Sequence, residues 1–195
     1  MAIFFTADTH FGLNDYEGTI ARDFRPFKTP KEMSRKIIKI WNKQAGKNDV
    51  IYHLGDFINY NFKDKESYVE CLKLVKKIKA KVILILGNNE KRVLRYEFND
   101  DFKKFKEFLL NIGFADVYED DLYLELGGYK FYLNHYPKNH KDGYINLFGH
   151  IHGTGFVKKY GFNIGIDNHY LSMFSEEDIL RLIKNRELFD ENVYD

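Results

Sequence analysis

The 195-residue chain has a single cysteine, Cys71, which excludes a disulfide framework and argues against a thiolate-bound metal cluster. Its formal net charge is only +1, so the charge balance does not call for a nucleic acid or an anionic membrane as partner. No apolar run approaches the ~20 residues that a membrane helix needs. The first residues also lack the basic region of a signal peptide. The single cysteine, the lack of a long apolar run and the lack of a signal peptide together predict a reducing, cytoplasmic setting and no membrane partner.

The sequence also lacks internal repeats, low-complexity segments and any recognisable linker. Its hydrophobic fraction of 44% and charged fraction of 30% are those of an ordinary globular protein. A chain of this length can bury a sizeable core. We therefore expect one domain over residues 1–195, and the sequence supports no prediction of its oligomeric state.

The first half of the chain alternates apolar runs of strand type with amphipathic helical segments. The segment Thr29-Pro30-Lys31-Glu32 combines a capping residue, a proline in the first turn and a glutamate at the third position, which predicts a helix ending at Gly46. Strands are predicted at 2–7, 50–54 and 82–86, and two further helices at 65–79 and 102–112.

The second half is richer in short strands. Gly127-Gly128 joins two of them and predicts an antiparallel hairpin. The predicted strands are 117–119, 122–126, 130–134 and 144–148, with one or two more within 157–166. A final helix is predicted to start near Ser175. Strands and helices in this order predict an α/β sandwich.

Five of the strand-like runs share one property, because each delivers aspartate, asparagine or histidine at its carboxyl end. The residues are Asp8 and His10, Asp56, Asn88, His135, and His150 and His152. The carboxyl ends of strands in an open α/β sheet are where ligands bind. Nitrogen and oxygen donors of this kind suit manganese, iron or zinc. Seven donors are too many for one ion, so we predict two ions that share the Asp56 carboxylate.

The ordered set Asp-x-His, Gly-Asp, Gly-Asn, a lone His and Gly-His-x-His resembles the calcineurin-like metallophosphoesterase superfamily, over residues 8 to 152. The resemblance implies a four-layer αββα sandwich of two mixed sheets flanked by helices. It also implies two divalent metal ions, with manganese first and iron, zinc or nickel as alternatives. One ion would be held by Asp8, His10, Asp56 and His152, and the other by Asp56, Asn88, His135 and His150.

The implied function is hydrolysis of a small or nucleotide-derived phosphomonoester or phosphodiester by a metal-bridging hydroxide. Asp56 would be catalytic as the shared ligand. Arg92, just after the Gly-Asn motif, is a candidate substrate contact or else part of a charged first helical turn. Two alternatives remain open: a catalytically weak metal-binding interaction module of the same fold, and a nuclease, which the near-neutral charge does not favour.

Asn89 is a departure from the family pattern, which usually has a catalytic histidine at this position. An amide can donate a hydrogen bond but cannot deliver a proton, and loss of a general acid typically costs ~10²–10⁴ in rate. The cost is smaller when the leaving group is already acidic. We therefore predict a preference for activated or aryl-like esters, for cyclic phosphodiesters, or for a substrate that supplies its own proton, unless His53 or His169 replaces the missing acid.

Individual histidines also have simpler interpretations. The pair His150 and His152 could lie in an ordinary turn, and His135 could face solvent. His53 points away from Asp56 in strict strand alternation, so a core or supporting role is the main expectation for it. The lysine-rich stretch 73–81 is read as a solvated helix face rather than a nucleic-acid patch.

Overall fold

The computed structural model describes residues 1–13, 25–61, 66–158 and 160–188. Strands in these ranges form two five-stranded sheets. The first sheet contains β1 (Ile3–Thr6), β2 (Val50–His53), β3 (Lys81–Ile85), β4 (Asp116–Tyr118) and β10 (Phe174–Ser175). The second contains β5 (Asp121–Leu126), β6 (Tyr129–Asn134), β7 (Ile145–Phe148), β8 (Val157–Lys158) and β9 (Gly161–Asn163).

Both sheets are mixed. The first has the order β10-β1-β2-β3-β4, with β1 to β4 parallel and β10 antiparallel to β1. The second has the order β5-β6-β7-β9-β8, with parallel pairing in its centre and antiparallel pairing at its edges. The predicted hairpin is confirmed, since Gly127 and Gly128 connect β5 to β6 with φ angles of 56° and 83°. Two consecutive positive φ angles suit glycine and match strand twist.

Five α-helices lie in the described ranges: α1 (Pro30–Gln44), α2 (Ser67–Leu72), α3 (Asn88–Phe98), α4 (Phe102–Ile112) and α5 (Glu176–Leu188). The Thr29 cap of α1 is confirmed, because its hydroxyl accepts a hydrogen bond from the Glu32 amide at 3.2 Å. The predicted helix 65–79 is shorter, since α2 gives way to a 3₁₀ segment, Lys73–Lys77, and residue 65 lies outside the described ranges. Of the helices described, none is both long and apolar enough to cross a membrane.

The first sheet separates two hydrophobic cores. On β1, Phe4 packs into a core shared with α1, α2, α3 and α4, whereas its neighbour Phe5 packs into a core shared with the second sheet and α5. Leu84 and Ile85 of β3 divide in the same way. A strand buried on both faces must be apolar throughout, which explains the unbroken run in β3. The predicted α/β sandwich of two mixed sheets flanked by helices is confirmed.

Two elements were not predicted. Helix α3 starts directly at Asn88, but its buried apolar side chains are only Val93 and Leu94, too few for a clear helical stripe. Strand β10 has two residues and pairs with β1 just before α5 begins, so it is too short to show a periodic pattern.

Candidate metal centre

The structure brings the seven predicted ligands together at the carboxyl ends of strands. Asp8 and His10 follow β1, Asp56 follows β2, and Asn88 follows β3 as the first residue of α3. The remaining three come from the second sheet: His135 follows β6, and His150 and His152 follow β7. Both sheets therefore contribute to one site.

The first candidate metal position is formed by Asp8, His10 and His152. One donor atom from each of these side chains lies within 4.8 Å of those of the other two. The rings of His10 and His152 stack with 4.9 Å between centroids, and His10 Nε2 is 3.4 Å from Asp56 Oδ2. His10 is only 8% exposed, and its Nε2 lies near Asp56 without hydrogen-bond geometry, so neither ring nitrogen has a hydrogen-bond partner within the described part of the chain. A buried imidazole without a partner is unfavourable, and a metal ion would supply that partner.

The second candidate position is formed around Asn88. Its side-chain oxygen is 3.2 Å from His135 Nε2 and 3.0 Å from His150 Nδ1. The other nitrogen of His135, Nδ1, lies 2.7 Å from the Leu54 carbonyl and can donate to it, which leaves Nε2 free to bind a metal. Asp56 Oδ1 is 3.8 Å from His135 Nε2. The Asp56 carboxylate thus faces both positions, which is the arrangement expected of a shared ligand.

The backbone turns sharply at these ligands. Five of them have positive φ angles: Asp8 (61°), His10 (47°), Asp56 (53°), His150 (74°) and His152 (48°). This region is unfavourable for residues other than glycine, and such strain concentrates at functional sites. The strained turns aim side chains of neighbouring loops toward one point.

Two glycines in the motifs are required by close approach of carboxylates. A side chain at Gly87 would place its Cβ 2.3 Å from Asp56 Oδ1, and one at Gly149 would place its Cβ 2.7 Å from Asp8 Oδ2. The glycines of the Gly-Asn and Gly-His motifs therefore make room for the carboxylates of two predicted ligands.

Asn89 lies beneath Asp56 rather than in open solvent. It is 4% exposed, its backbone amide donates to Asp56 Oδ1 at 2.9 Å, and its side-chain oxygen accepts from the Tyr60 amide at 3.0 Å. Its neighbour Glu90 is fully buried and accepts hydrogen bonds from the amides of Gly87, Asp56 and Ile58. Residues 89 and 90 thereby connect, by hydrogen bonds, the segment that follows β2 with the segment that follows β3.

The charges at the site favour metal binding. Burial, reinforced by Asp56, raises the pKa of the Asp8 carboxyl to about 7. Burial alone would raise the pKa of Asp56 as well, but His10 and His135 hold it below its usual value. Burial lowers the pKa of His10 to about 3, so its ring is neutral at physiological pH. Metal ions require neutral imidazole and ionised carboxylate, and His10 and Asp56 are already in those states.

Two residues of the site were missed by the sequence analysis, Arg25 and Asp167. Asp167 Oδ2 accepts from His152 Nδ1 at 2.8 Å, so the Nε2 atom of His152 faces the metal position. The Arg25 guanidinium binds both oxygens of Asp167, at 2.7 and 2.9 Å, and also donates to the backbone carbonyls of Asp8 and Thr9. The Arg25 and Asp167 side chains are both completely buried. Asp167 follows β9, a strand of only three residues, which is a weak signal, whereas no motif surrounds Arg25.

The other predicted site residues lie around the centre. Arg92 is exposed on the first turns of α3. His53 is fully buried, with Nε2 3.0 Å from the Thr9 hydroxyl and its ring against Phe57, which agrees with a core or supporting role. His169 stacks on Phe174 with 4.2 Å between ring centroids. Neither ring makes a described hydrogen bond with a predicted metal ligand.

Comparison with known proteins identifies the family of the chain. The family model for calcineurin-like phosphoesterases matches residues 1–188, so the chain belongs to the calcineurin-like phosphoesterase family. It is 29% identical over 156 residues to the uncharacterized protein MJ1445 of Methanocaldococcus jannaschii, covering 78% of this chain and 70% of the relative.

Solved structures of two other proteins resemble this chain to different degrees. The protein AQ665 of Aquifex aeolicus, of unknown function, superimposes with a TM-score of 0.63 at 23% identity, covering 93% of this chain and 98% of the other. An archaeal phosphodiesterase is more distant, with a TM-score of 0.46, 20% identity, and coverage of 85% and 84% of the two chains. The likeness to AQ665 shows the fold and leaves the activity to be argued from the site.

Proposed function

We propose that this protein is a two-metal phosphoesterase acting on a small or nucleotide-derived phosphomonoester or phosphodiester. The observation that carries the proposal is the state of His10, a buried imidazole with no hydrogen-bond partner among the described residues, placed between His152 and the Asp56 carboxylate. When bound, two divalent ions would activate a water for attack on phosphorus and neutralise charge on the phosphoryl oxygens. Manganese is the proposed metal, with iron, zinc or nickel as alternatives.

In this proposal the residues around the metal centre orient the metal ligands. The backbone amide of Asn89 holds the Asp56 carboxylate, and each of its oxygens would then face one of the proposed metal positions. Asp167 and Leu54 fix which ring nitrogen of His152 and of His135 faces the site. Ligands held in place before substrate binds need no reorganisation during the reaction.

Protonation of the leaving group is the step of the proposed reaction for which Asn89 provides no acid. The Asn89 amide cannot deliver a proton, and its oxygen is already occupied by the Tyr60 amide. We infer that the enzyme favours esters whose leaving group departs without a proton, such as aryl esters. For poor leaving groups the missing acid costs ~10²–10⁴ in rate.

The lack of a proton donor at Asn89 also favours a second candidate function, a metal-binding interaction module with little catalysis. To separate the two, hydrolysis of p-nitrophenyl phosphate and bis-p-nitrophenyl phosphate is measured with Mn²⁺, with and without EDTA, for wild type and Asp56→Asn. Turnover that needs metal and is abolished by Asp56→Asn is expected. Metal binding by wild type without turnover would instead establish the module.

The leaving-group proposal has its own test. Rates are compared for a series of aryl and alkyl esters, and they are expected to fall steeply as the leaving group becomes more basic. Asn89→His is then expected to speed the alkyl esters more than the aryl ones. A flat series, or equal rates for the variant and wild type on a poor leaving group, would show that position 89 is not limiting.

A further inference from the structure

A pocket opens directly beside the candidate metal centre. It has a volume of about 360 Å³, and Asn88, a predicted ligand of the second metal position, forms part of its wall. Lys91, Arg92, Arg95 and Tyr136 line it as well. A substrate group bound here would therefore be adjacent to the reacting phosphate.

The three basic residues follow from helix geometry. Counted from Asn88, they stand at positions three, four and seven along α3, which places them on one face of the helix. At a rise of about 1.5 Å per residue, Arg92 lies about 6 Å along the axis from Asn88. This backbone separation is similar to the spacing of the phosphates that flank one nucleoside.

Two of these cations form ion pairs with carboxylates. Lys91 Nζ is 2.6 Å from Asp120 Oδ1, and Arg95 Nε is 3.9 Å from Asp100 Oδ1. Arg92 makes no ion pair with any acidic side chain in the described ranges. Asp100 and Glu119 also line the pocket, so its net positive charge is small. One phosphate that meets the Arg92 guanidinium directly suits this balance better than a long polyanion.

Tyr136 forms the wall between the pocket and the metal centre. Its ring lies 4.9 Å from the ring of His135 and 4.9 Å from that of His150, measured between centroids. The ammonium groups of Lys91 and Lys138 lie 5.8 and 5.7 Å from the centre of the same ring. A half-buried aromatic ring at this point offers an apolar contact for the sugar or base between two phosphates.

We propose that this pocket, centred on Arg92, binds a second phosphate of the substrate, one nucleoside away from the phosphate that is hydrolysed. The substrate class is then a nucleotide phosphorylated at two positions rather than a simple phosphomonoester. This inference rests on the proposed function, because it assigns the reacting phosphate to the metal centre.

The test compares two p-nitrophenyl esters of thymidine 5′-phosphate, one with a free 3′-hydroxyl and one with a 3′-phosphate. With the Mn²⁺-loaded protein, kcat/KM is expected to be about tenfold higher for the 3′-phosphorylated ester, the size of one charge-assisted hydrogen bond. In Arg92→Gln the ratio between the two esters is expected to fall toward one. Equal kcat/KM values in wild type, or an unchanged ratio in Arg92→Gln, would overturn the inference.

Arg181→Gln is the matched control, since Arg181 is also an exposed helical arginine and pairs with Asp178 three residues away. It should leave the ratio unaltered. A tetrathymidylate p-nitrophenyl ester distinguishes the source of the phosphate: a preference for it beyond that for the 3′-phosphate indicates a nucleic acid chain. A preference for the tetrathymidylate without one for the 3′-phosphate would contradict a single-phosphate pocket.

Direct binding separates failure of this inference from failure of the proposed function. Thymidine 3′,5′-bisphosphate and thymidine 5′-phosphate are titrated calorimetrically into the Mn²⁺-loaded protein. Binding of the bisphosphate about tenfold tighter, lost in Arg92→Gln, supports the pocket even if neither ester is hydrolysed. Hydrolysis of both esters with equal binding of both nucleotides rejects the pocket and leaves the phosphoesterase proposal standing.

Discussion

The two candidate metal positions are built differently. At the first, Asp8 and His10 are buried, and the Arg25–Asp167 pair holds both His152 and the backbone of Asp8. At the second, His150 is exposed, Asn88 is half-buried, and its oxygen contacts the two histidine rings directly. We therefore expect the first position to retain its ion more strongly and the second to be more accessible to substrate. In the proposed site both positions share Asp56.

The largest effect on activity is expected from a substitution of Asp56, the ligand that the two metal positions share. Asp56→Asn keeps the shape of the side chain but removes its charge, so both ions lose a ligand. We expect kcat/KM for bis-p-nitrophenyl phosphate to fall more than the ~100-fold typical of changes beyond the direct ligands. Elemental analysis should find fewer than two ions per chain. Asp121→Asn, which alters a carboxylate bound to the Tyr132 hydroxyl, is the control. Two retained ions in Asp56→Asn would refute a shared carboxylate.

A change at Asp167 should separate the two positions. In Asp167→Asn the orientation of His152 is weakened, while Asn88, His135 and His150 keep their partners. We expect calorimetric metal titration to show one site with ~10–100-fold lower affinity and a second site unchanged. Excess metal should then restore the rate.

Loss of fold stability is the alternative cause to be controlled for. Breaking a buried ion pair can cost ~3–5 kcal/mol, so the melting temperature of Asp167→Asn is measured as well. Asp178→Asn, which alters a carboxylate hydrogen-bonded to Ser175 at the start of α5, should lower the melting temperature without changing metal affinity. Equal weakening of both metal sites in Asp167→Asn would argue against selective support of the first.

The two metal positions also differ in how much of each could be predicted from the sequence. The seven ligands could be predicted because each one follows an apolar strand within a short motif, and strand ends in such a sheet meet at one edge. The sheets could be predicted because β3 is apolar throughout and Gly127-Gly128 fixes a hairpin.

The residues that hold the ligands of the first metal position in place could not be predicted in this way. Arg25 and Asp167 are 142 residues apart, and their pairing exists only after both sheets are assembled. Their residue types are common at exposed positions, so neither residue indicates burial by itself. The positive φ angles of Asp8, His10 and Asp56 likewise arise from tertiary contacts, because local preference disfavours them.

Acidification should weaken the first position more than the second. Asp8 has a pKa of about 7 and binds metal as the carboxylate, so below pH 7 the ion must displace a proton. Burial alone would lower the pKa of His152, but the hydrogen bond to Asp167 and the negative charges of Asp8 and Asp167 together raise it, which adds to this effect. Burial instead lowers the pKa of His135 and His150, so the second position remains ready to bind. We expect about tenfold weaker binding per pH unit below 7 at one site only.

Metal titrations at several pH values between 7.5 and 5.5 measure this difference. The affinity of the second site should stay nearly constant over the upper part of that range. A parallel decline at both sites would show that the shared Asp56, rather than Asp8, controls the pH dependence.

The smallest expected effect concerns the second position alone. Tyr136 packs edge-on against both His135 and His150, and aromatic pairs of this kind contribute ~0.5–1.5 kcal/mol each. Tyr136→Leu keeps an apolar side chain but removes these ring contacts, so the two histidines gain freedom that metal binding must restrict. We expect metal affinity at the second site to fall roughly three- to tenfold, which corresponds to the energy of one such pair. Tyr123→Leu, an exposed tyrosine that packs on Tyr132 of the second sheet, is the matched control. Weaker binding at the first site in Tyr136→Leu would mean that the two positions are coupled through more than Asp56.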